Sequence, residues 1–175
     1  MKLMVRKLWY AHDLEETVES LFRIPQMRQQ FDGFAYDGEM RPRGIKICSR
    51  YWPADAILDR LPDSEKDVYM VLTSMDLKGD YGRIHGKGRD RKAIASSDSF
   101  SNGFGFLDLN DPHYPAMTFH EIGHALGLLH HDYRESDPCV MSDQARNRPL
   151  GQWPRWSSIE AVQFCEPCYR TLPGS

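Results

Sequence analysis

Five residues in the last third of the chain have types and spacings that suit metal chemistry. His120, Glu121 and His124 are followed by Gly127 and His130. Residues four apart in an α-helix lie about 40° apart on one face, so the first two imidazoles can share one Zn²⁺ at roughly 2.0–2.1 Å. Gly127 can adopt a positive φ and end the helix, which lets the chain turn back and bring in His130. Three protein nitrogens leave a fourth position for water, as in catalytic zinc sites.

Glu121 follows the first candidate ligand, so it lies beside the metal and can take a proton from water there. A structural interpretation competes: the histidines lie on a helix surface, and Thr118 and Glu121 form a capping box at its start. Three histidines, a glutamate and a glycine in fixed register favour the metal interpretation. The sequence therefore predicts a catalytic zinc held by His120, His124 and His130, with Glu121 as the general base.

The segment after these histidines extends the pattern. Cys139-Val-Met141 follows, and then Cys165-Glu-Pro-Cys168 near the C-terminus. The whole arrangement resembles the archaemetzincins, a family of metzincin metallopeptidases whose pattern is HExxHxxGxxH, a Cys, a further Cys, a Met two residues later and a C-terminal CxxC. The resemblance closely covers residues 117–170. More loosely, the stretch 71–76 resembles the family's third strand and the glycine-rich segment before Ala93 its antiparallel edge strand. This chain departs from the pattern at His131, where the family has Cys, and in longer intervals before Cys139 and Cys165.

The resemblance implies a second, structural zinc and a Met-turn in which Met141 forms an apolar floor beneath the catalytic metal. His131, Cys139, Cys165 and Cys168 make one Cys₃His set, and four protein ligands close a zinc site. The expected cofactors are therefore two zinc ions per chain, one catalytic and one structural.

Other interpretations of the cysteines remain open at this stage. Cys165 and Cys168 can form a redox pair, although the few residues that follow leave little room for the helix that lowers a thiol pKa. A disulfide with one leftover thiol is another alternative. His131 can also be an exposed neighbour, which would leave three cysteines and an unidentified fourth ligand.

The elements that must position these residues follow from hydrophobic periodicity. We expect Asp111 and Pro112 to begin the metal-site helix, with Ile122, Leu126 and Leu129 buried on the face opposite the histidines. Asp13 and Glu16 predict a capped helix that Pro25 closes. The remaining predicted elements are strands at Leu3–Tyr10, Ile45–Cys48, Val68–Thr73 and Ala93–Ser96, a helix at Ala54–Leu61 and an exposed connection at Phe31–Arg43.

Several residues outside the two predicted zinc sites also have chemistry that suggests a role. The segment Gly82–Gly86 is the predicted edge strand that would pair with an extended peptide. His85 either bonds substrate from that strand or is a solvated loop residue, which we favour. His113 caps or packs at the start of the metal-site helix. Cys48 is assigned to the core, with an inhibitory thiol as its alternative. Trp153 and Trp156 are assigned to core packing rather than to a specificity pocket.

Composition bounds the class of protein. The chain has 175 residues, 41% hydrophobic and 27% charged, with a net charge of −3, a mean hydropathy of −0.59 and no apolar run long enough to span a bilayer. Four cysteines are too few for a disulfide scaffold, and the N-terminus lacks the apolar segment of a secretory signal. We expect one α/β (α+β) catalytic domain over 1–175, with a sheet and helix half at 1–110 and a zinc-binding half at 111–175.

The predicted function is a cytoplasmic, monomeric zinc metallopeptidase that acts on a peptide or protein substrate, without nucleic-acid or membrane partners. A zinc-stabilised module that only binds peptides or proteins is the alternative from another class. A small zinc amidase is the second alternative, since such enzymes share H-E-x-x-H but take the third ligand from elsewhere. Retention of Glu121, which binding alone does not require, favours hydrolysis.

Overall fold

Strands and helices alternate along the first half of the chain. A computed structural model describes residues 1–41, 45, 51–80, 82–97, 108–132, 138–142 and 156–173. The strands are β1 (Leu3–Leu8), β2 (Phe34–Glu39), β3 (Trp52–Pro53), β4 (Val68–Thr73), β5 (Leu77–Gly79), β6 (Gly82–Ile84), β7 (Gly86–Arg89) and β8 (Lys92–Ser96). The helices are α1 (Leu14–Leu21), α2 (Pro25–Gln30), α3 (Ala54–Leu58), α4 (His113–Ala125) and α5 (Glu166–Arg170).

The larger sheet is mixed. Its strand order is β2–β1–β4–β8–β7, and every pairing is parallel except β7 with β8. Those two strands form a tight hairpin through Asp90 and Arg91, whose φ angles of 48° and 60° match the right-handed strand twist. Strand β4 is central and almost entirely buried, as its unbroken apolar run predicts. A smaller sheet joins β3, β5 and β6.

Apolar side chains pack on both faces of the larger sheet because strand residues alternate between faces. Met70 and Leu72 point into a core formed with α1, α2, α4 and the C-terminal segments. Val71 and Ile94 point to the opposite face, where they pack with Ile57 of α3. The metal-site helix α4 therefore lies on the side of the sheet that carries the larger core.

Most predicted elements are confirmed, including the α/β class, strands β1, β4 and β8, and helices α1 and α3. The cap of α1 is also confirmed, since Asp13 accepts a hydrogen bond from the Glu16 amide at 2.8 Å. Pro25 does not close α1; it opens α2 at the first helical position, where its missing N–H costs nothing.

The prediction that Phe31–Arg43 is only an exposed connection is wrong, because β2 runs through it, parallel to β1. No residue of β2 is buried, so the strand lacks the buried apolar face that would have marked it in the sequence. The predicted strand Ile45–Cys48 lies outside the described residues except for Ile45, which is buried and in no strand.

The predicted edge strand Gly82–Gly86 is divided between two sheets. Strand β6 pairs with β5 in the smaller sheet, whereas β7 forms the edge of the larger sheet. The change of partner occurs at His85, whose carbonyl accepts from the Ser96 amide at 2.8 Å. Within the described ranges, no helix is both long enough and apolar enough to cross a membrane.

Candidate metal centres

Helix α4 is enclosed by the rest of the molecule, and 11 of its 13 residues are buried. Its start is fixed by Asp111, whose carboxylate accepts from the His113 amide at 3.0 Å and contacts the His113 ring at 2.6 Å. Thr118 therefore lies in the helix interior, fully buried, and cannot form the capping box that the structural interpretation required. His120, Glu121 and His124 occupy the second half of the helix.

Gly127 ends the helix in the way its position predicts. Its φ is +91°, its amide donates to the His124 carbonyl at 3.0 Å, and the Leu128 amide donates to the Gly123 carbonyl at 2.9 Å. These two hydrogen bonds define a Schellman motif, which reverses the chain after the last helical turn. The reversal buries Leu128 and leaves Leu129 80% exposed, so the prediction that Leu129 lies on the buried face is wrong.

The reversal brings three imidazoles together. Nε2 of His120 lies 3.1 Å from Nε2 of both His124 and His130, and those two atoms are 3.0 Å apart. Three nitrogens bound to one Zn²⁺ at 2.0–2.1 Å and tetrahedral angles would lie about 3.3 Å apart. The three histidines can therefore hold one metal ion.

Backbone carbonyls fix the orientation of two of these rings. Nδ1 of His120 lies 2.6 Å from the Val140 oxygen, and Nδ1 of His124 lies 2.9 Å from the Leu128 oxygen. A carbonyl only accepts, so each Nδ1 carries the proton and each Nε2 presents a lone pair to the cluster. Facing lone pairs repel one another, and a shared cation removes the repulsion. The donor set thus fits a zinc ion, with the outer hydrogen bonds typical of ligating histidines.

Burial controls the ionisation of the two innermost side chains. It lowers the pKa of His120 to about 3, with a further contribution from the neighbouring His124. It raises the pKa of Glu121 to about 8, against the opposing effect of the Lys87 cation. His120 is thus neutral, which a metal ligand must be. Glu121 is 7% exposed, so bulk water reaches little of it.

The metal-site face is accessible from one side. Whereas His120 is buried, His130 is exposed and borders an open cavity of about 530 Å³. The same cavity is lined by His131, Cys165 and Cys168. Solvent and ligands can therefore approach both groups of candidate ligands from this side.

A second cluster lies beside the first. Cys139 Sγ is 3.9 Å from Cys168 Sγ, Cys165 Sγ is 3.4 Å from His131 Nε2, and the four ligand atoms all lie within 4.8 Å of one another. Sulfurs bound to one tetrahedral Zn²⁺ at about 2.3 Å would be about 3.8 Å apart. The structure thus brings together the four residues proposed for the structural zinc.

The chemistry of this cluster also fits a cation. Nδ1 of His131 lies 2.8 Å from the Asp132 carbonyl oxygen, which leaves Nε2 with a lone pair toward Cys165. Burial raises the pKa of Cys139 to about 11 and raises that of Cys168 further, with Cys139 adding to the effect on Cys168. Thiolates so placed need a bound cation to stay ionised. All three sulfurs are free of disulfides.

A short helix does fit at the cysteine pair despite the few residues that follow it, because α5 begins directly after Cys165 and contains Cys168. Pro167 lies in its first turn, where proline is tolerated, so five residues suffice for the turn. The helix alone does not favour a redox pair over a metal site. Cys168 Sγ lies beside Cys139 Sγ, and Cys165 Sγ beside His131, so the sulfurs face a four-residue cluster.

Met141 is fully buried beside the second cluster. Its amide lies 3.4 Å from Cys139 Sγ, and its carbonyl accepts from the His131 amide at 3.1 Å. A Cβ at Gly123 would lie 2.6 Å from Met141 Sδ and 2.9 Å from a Phe164 ring carbon, so this glycine admits both side chains against α4. The turn around Met141 therefore contacts Cys139 of the second cluster and packs against α4, the helix that carries two histidines of the first.

Among the described residues, the others singled out in the sequence belong to neither group of candidate ligands. His85 is partly buried, and burial lowers its pKa, with Arg83 adding to the effect. His113 contributes to the start of α4, and Trp156 is buried in the core. Cys48 and Trp153 lie outside the described residues.

Sequence reasoning missed the groups that hold the ligands. The Val140 and Leu128 carbonyls leave no mark in a sequence, because any residue supplies a carbonyl. Sequence reasoning predicted an antiparallel edge strand before Ala93 but bounded it at Gly82–Gly86, whereas the edge strand of the larger sheet is β7, whose alternation Gly86-Lys-Gly88-Arg89 is a usable signal. Glycines at alternate positions give a strand one face without side chains, which suits close approach to another element.

Comparison with known proteins supports the fold. No protein-family model and no curated protein sequence matches the chain. The archaemetzincin of Archaeoglobus fulgidus, solved with malonate, is 21% identical with a TM-score of 0.68, covering 98% of this chain and all of that one. The archaemetzincin of Methanopyrus kandleri is 21% identical with a TM-score of 0.65, covering 97% and 92%. A zinc-dependent peptidase of Methanocorpusculum labreanum is 17% identical with a TM-score of 0.68, covering 97% and 100%.

These three likenesses extend over nearly the whole chain, well beyond the residues 117–170 that carry the motif resemblance. The predicted archaemetzincin-like fold is therefore confirmed.

Proposed function

We propose that this chain, which has the archaemetzincin fold, is a zinc metallopeptidase whose catalytic metal is held by His120, His124 and His130. The observation that carries the proposal is that the Nε2 atoms of these three histidines lie 3.0–3.1 Å from one another, with Glu121 directly following His120 in the same helix. The names of the structural neighbours, archaemetzincin and zinc-dependent peptidase, support the same activity.

Glu121 is the residue proposed to move protons. A bound zinc supplies Lewis-acid chemistry, which acidifies water and polarises a peptide carbonyl. The Glu121 carboxylate, which a bound zinc cation would keep ionised against the effect of burial on its pKa, accepts the proton of the attacking water and then delivers it to the nitrogen of the leaving amine. The Val140 and Leu128 carbonyls hold the His120 and His124 rings in the tautomer that keeps Nε2 free for the metal.

The second zinc has a structural role in this proposal. His131, Cys139, Cys165 and Cys168 would hold it with four protein ligands, which leaves no position for water. The four come from three separate segments: the chain after the helix, the Met141 turn and the start of α5. Binding one ion would therefore fix these segments around α4.

The proposed substrate is an extended peptide. Strand β7 pairs with β8 on one side only among the described strands, and it lies directly against α4 at Glu121. An extended segment added to its outer edge by main-chain hydrogen bonds would pass beside the catalytic helix. We propose this pairing for β7 rather than for the Gly82–Gly86 segment, and a monomer suffices for it.

Hydrolysis of an internally quenched peptide library by the zinc-loaded chain tests the function. We expect cleavage that a chelator abolishes and added zinc restores. Peptide binding without cleavage would support the binding module instead, and release of formyl or other small amide groups without internal cleavage would support the amidase. Either of these results would contradict the proposed peptidase.

A further inference from the structure

Strand β7 has two different faces, which its alternating sequence creates. Lys87 and Arg89 point toward α3, where Lys87 Nζ lies 2.7 Å from Asp55 and Arg89 pairs with Asp59. Gly86 and Gly88 point the other way, toward α4. The strand is thus held between two helices, and its glycine face is the one that meets the metal-site helix.

The glycine face leaves no room for a side chain. A Cβ at Gly86 would lie 2.6 Å from Cγ and 2.9 Å from Cδ of Glu121, and 2.7 Å from the Ile94 carbonyl oxygen. A Cβ at Gly88 would overlap the Glu121 backbone carbonyl and lie 2.9 Å from His124 Cβ. Neither glycine has a positive φ, so close contact with α4, and at Gly86 also with the Ile94 carbonyl of β8, requires glycine here rather than backbone conformation.

A backbone hydrogen bond holds the same hairpin on the helix. The Arg91 amide, in the turn between β7 and β8, donates to the Ala125 carbonyl at 2.8 Å. This contact lies at the end of α4, one turn after the point where Gly88 meets Glu121. The hairpin therefore contacts the helix along the segment that carries Glu121 and His124.

We propose that Gly86 and Gly88 are positioning residues for the catalytic helix, an inference that rests on the proposed peptidase function. Gly86 positions the side chain of Glu121, because that side chain packs into the space that a Cβ at Gly86 would occupy. Gly88 acts on the backbone between His120 and His124, because it sets the distance between β7 and α4. The glycine face of β7 thus positions the proposed base and the part of α4 that carries two proposed ligands.

Three alanine variants separate these roles from ordinary packing. Gly86→Ala displaces Glu121 but touches no ligand, so we expect zinc to be retained while kcat falls about 100-fold. Gly88→Ala pushes the hairpin from α4 at His124, so we expect zinc affinity to fall about 10- to 100-fold. Gly79→Ala is the matched control, since its Cβ meets only the Ile84 side chain at 3.1 Å, and it should behave as wild type.

Thermal unfolding, compared between the wild-type and Glu121→Ala backgrounds, tests the inference without a measurement of activity. In the wild-type background, Gly86→Ala should lower Tm by about 4–8 °C through overpacking. In a Glu121→Ala background the obstructing Cγ and Cδ are gone, while the Ile94 carbonyl oxygen remains at 2.7 Å, so the Tm loss should be smaller than in the wild-type background. Gly88→Ala meets the backbone and should cost the same in both backgrounds.

The inference would be overturned by an equal Tm loss for Gly86→Ala in both backgrounds, or by wild-type kcat in that variant. A zinc-loaded wild type that cleaves no peptide would overturn the proposed function alone. The unfolding cycle and the zinc affinities would then still decide the role of the two glycines.

Discussion

His131 is the residue at which the second cluster departs from the cysteine found in the archaemetzincin pattern. Its Nε2 lies 3.4 Å from Cys165 Sγ, so it replaces one zinc-binding atom by another and keeps the ligand count. We predict that His131→Ala loses one zinc per chain, whereas His131→Cys retains it, as measured by elemental analysis after dialysis. Full zinc content in His131→Ala would remove this residue from the ligand set.

Gln26 is a single residue that connects α2 to the C-terminal segment. Its Oε1 accepts from the Phe164 amide at 2.6 Å and its Nε2 donates to the Phe164 carbonyl at 3.1 Å. Gln26→Ala leaves both backbone groups without this partner, so we predict a loss of about 1–3 kcal/mol in the free energy of unfolding. Gln29→Ala, exposed on the same helix, is the control for denaturant unfolding. Equal values for the two variants would contradict the role of Gln26.

At the scale of elements, the end of α4 decides whether His130 reaches the other histidines. Nothing lies within 4 Å of a Cβ at Gly127, so a substitution there changes only the backbone preference at φ +91°. We predict that Gly127→Ala costs about 1–2 kcal/mol and weakens zinc binding, with Gly127→Asn milder because Asn tolerates this conformation better. Competition with a chromogenic chelator measures both affinities. An Ala variant that binds as tightly as wild type would show that the turn does not set the third ligand.

How much of an element could be predicted depended on where its stabilising contacts lie. Helix α4 and its reversal were predictable because the ligand spacing and Gly127 are local features of the sequence. Strand β2 was not, since an edge strand with Phe34 and Tyr36 exposed lacks the alternation that burial imposes. The packing of β7 on α4 was not predictable either, because it joins residues more than thirty positions apart. The grouping of His131 with Cys139, Cys165 and Cys168 was predicted only from the resemblance to the archaemetzincin pattern.

At the scale of the whole molecule, zinc binding and stability are linked. The two candidate clusters take ligands from α4, the Met141 turn and α5, and an unfolded chain does not hold them together. At free zinc about 100-fold above Kd, one site adds about 2.7 kcal/mol, or about 5–10 °C in Tm. We predict that chelation lowers Tm by at least this amount, and by less in Cys165→Ser/Cys168→Ser. An unchanged Tm after chelation would contradict a structural zinc.

The central claim is that Glu121 performs proton transfer beside a zinc held by His120, His124 and His130. The most direct test compares peptide hydrolysis by wild type and Glu121→Gln at equal measured zinc content. Loss of a positioned base predicts a fall in kcat of about 10²–10⁴-fold with zinc retained. Equal rates in the two zinc-loaded proteins would contradict the account.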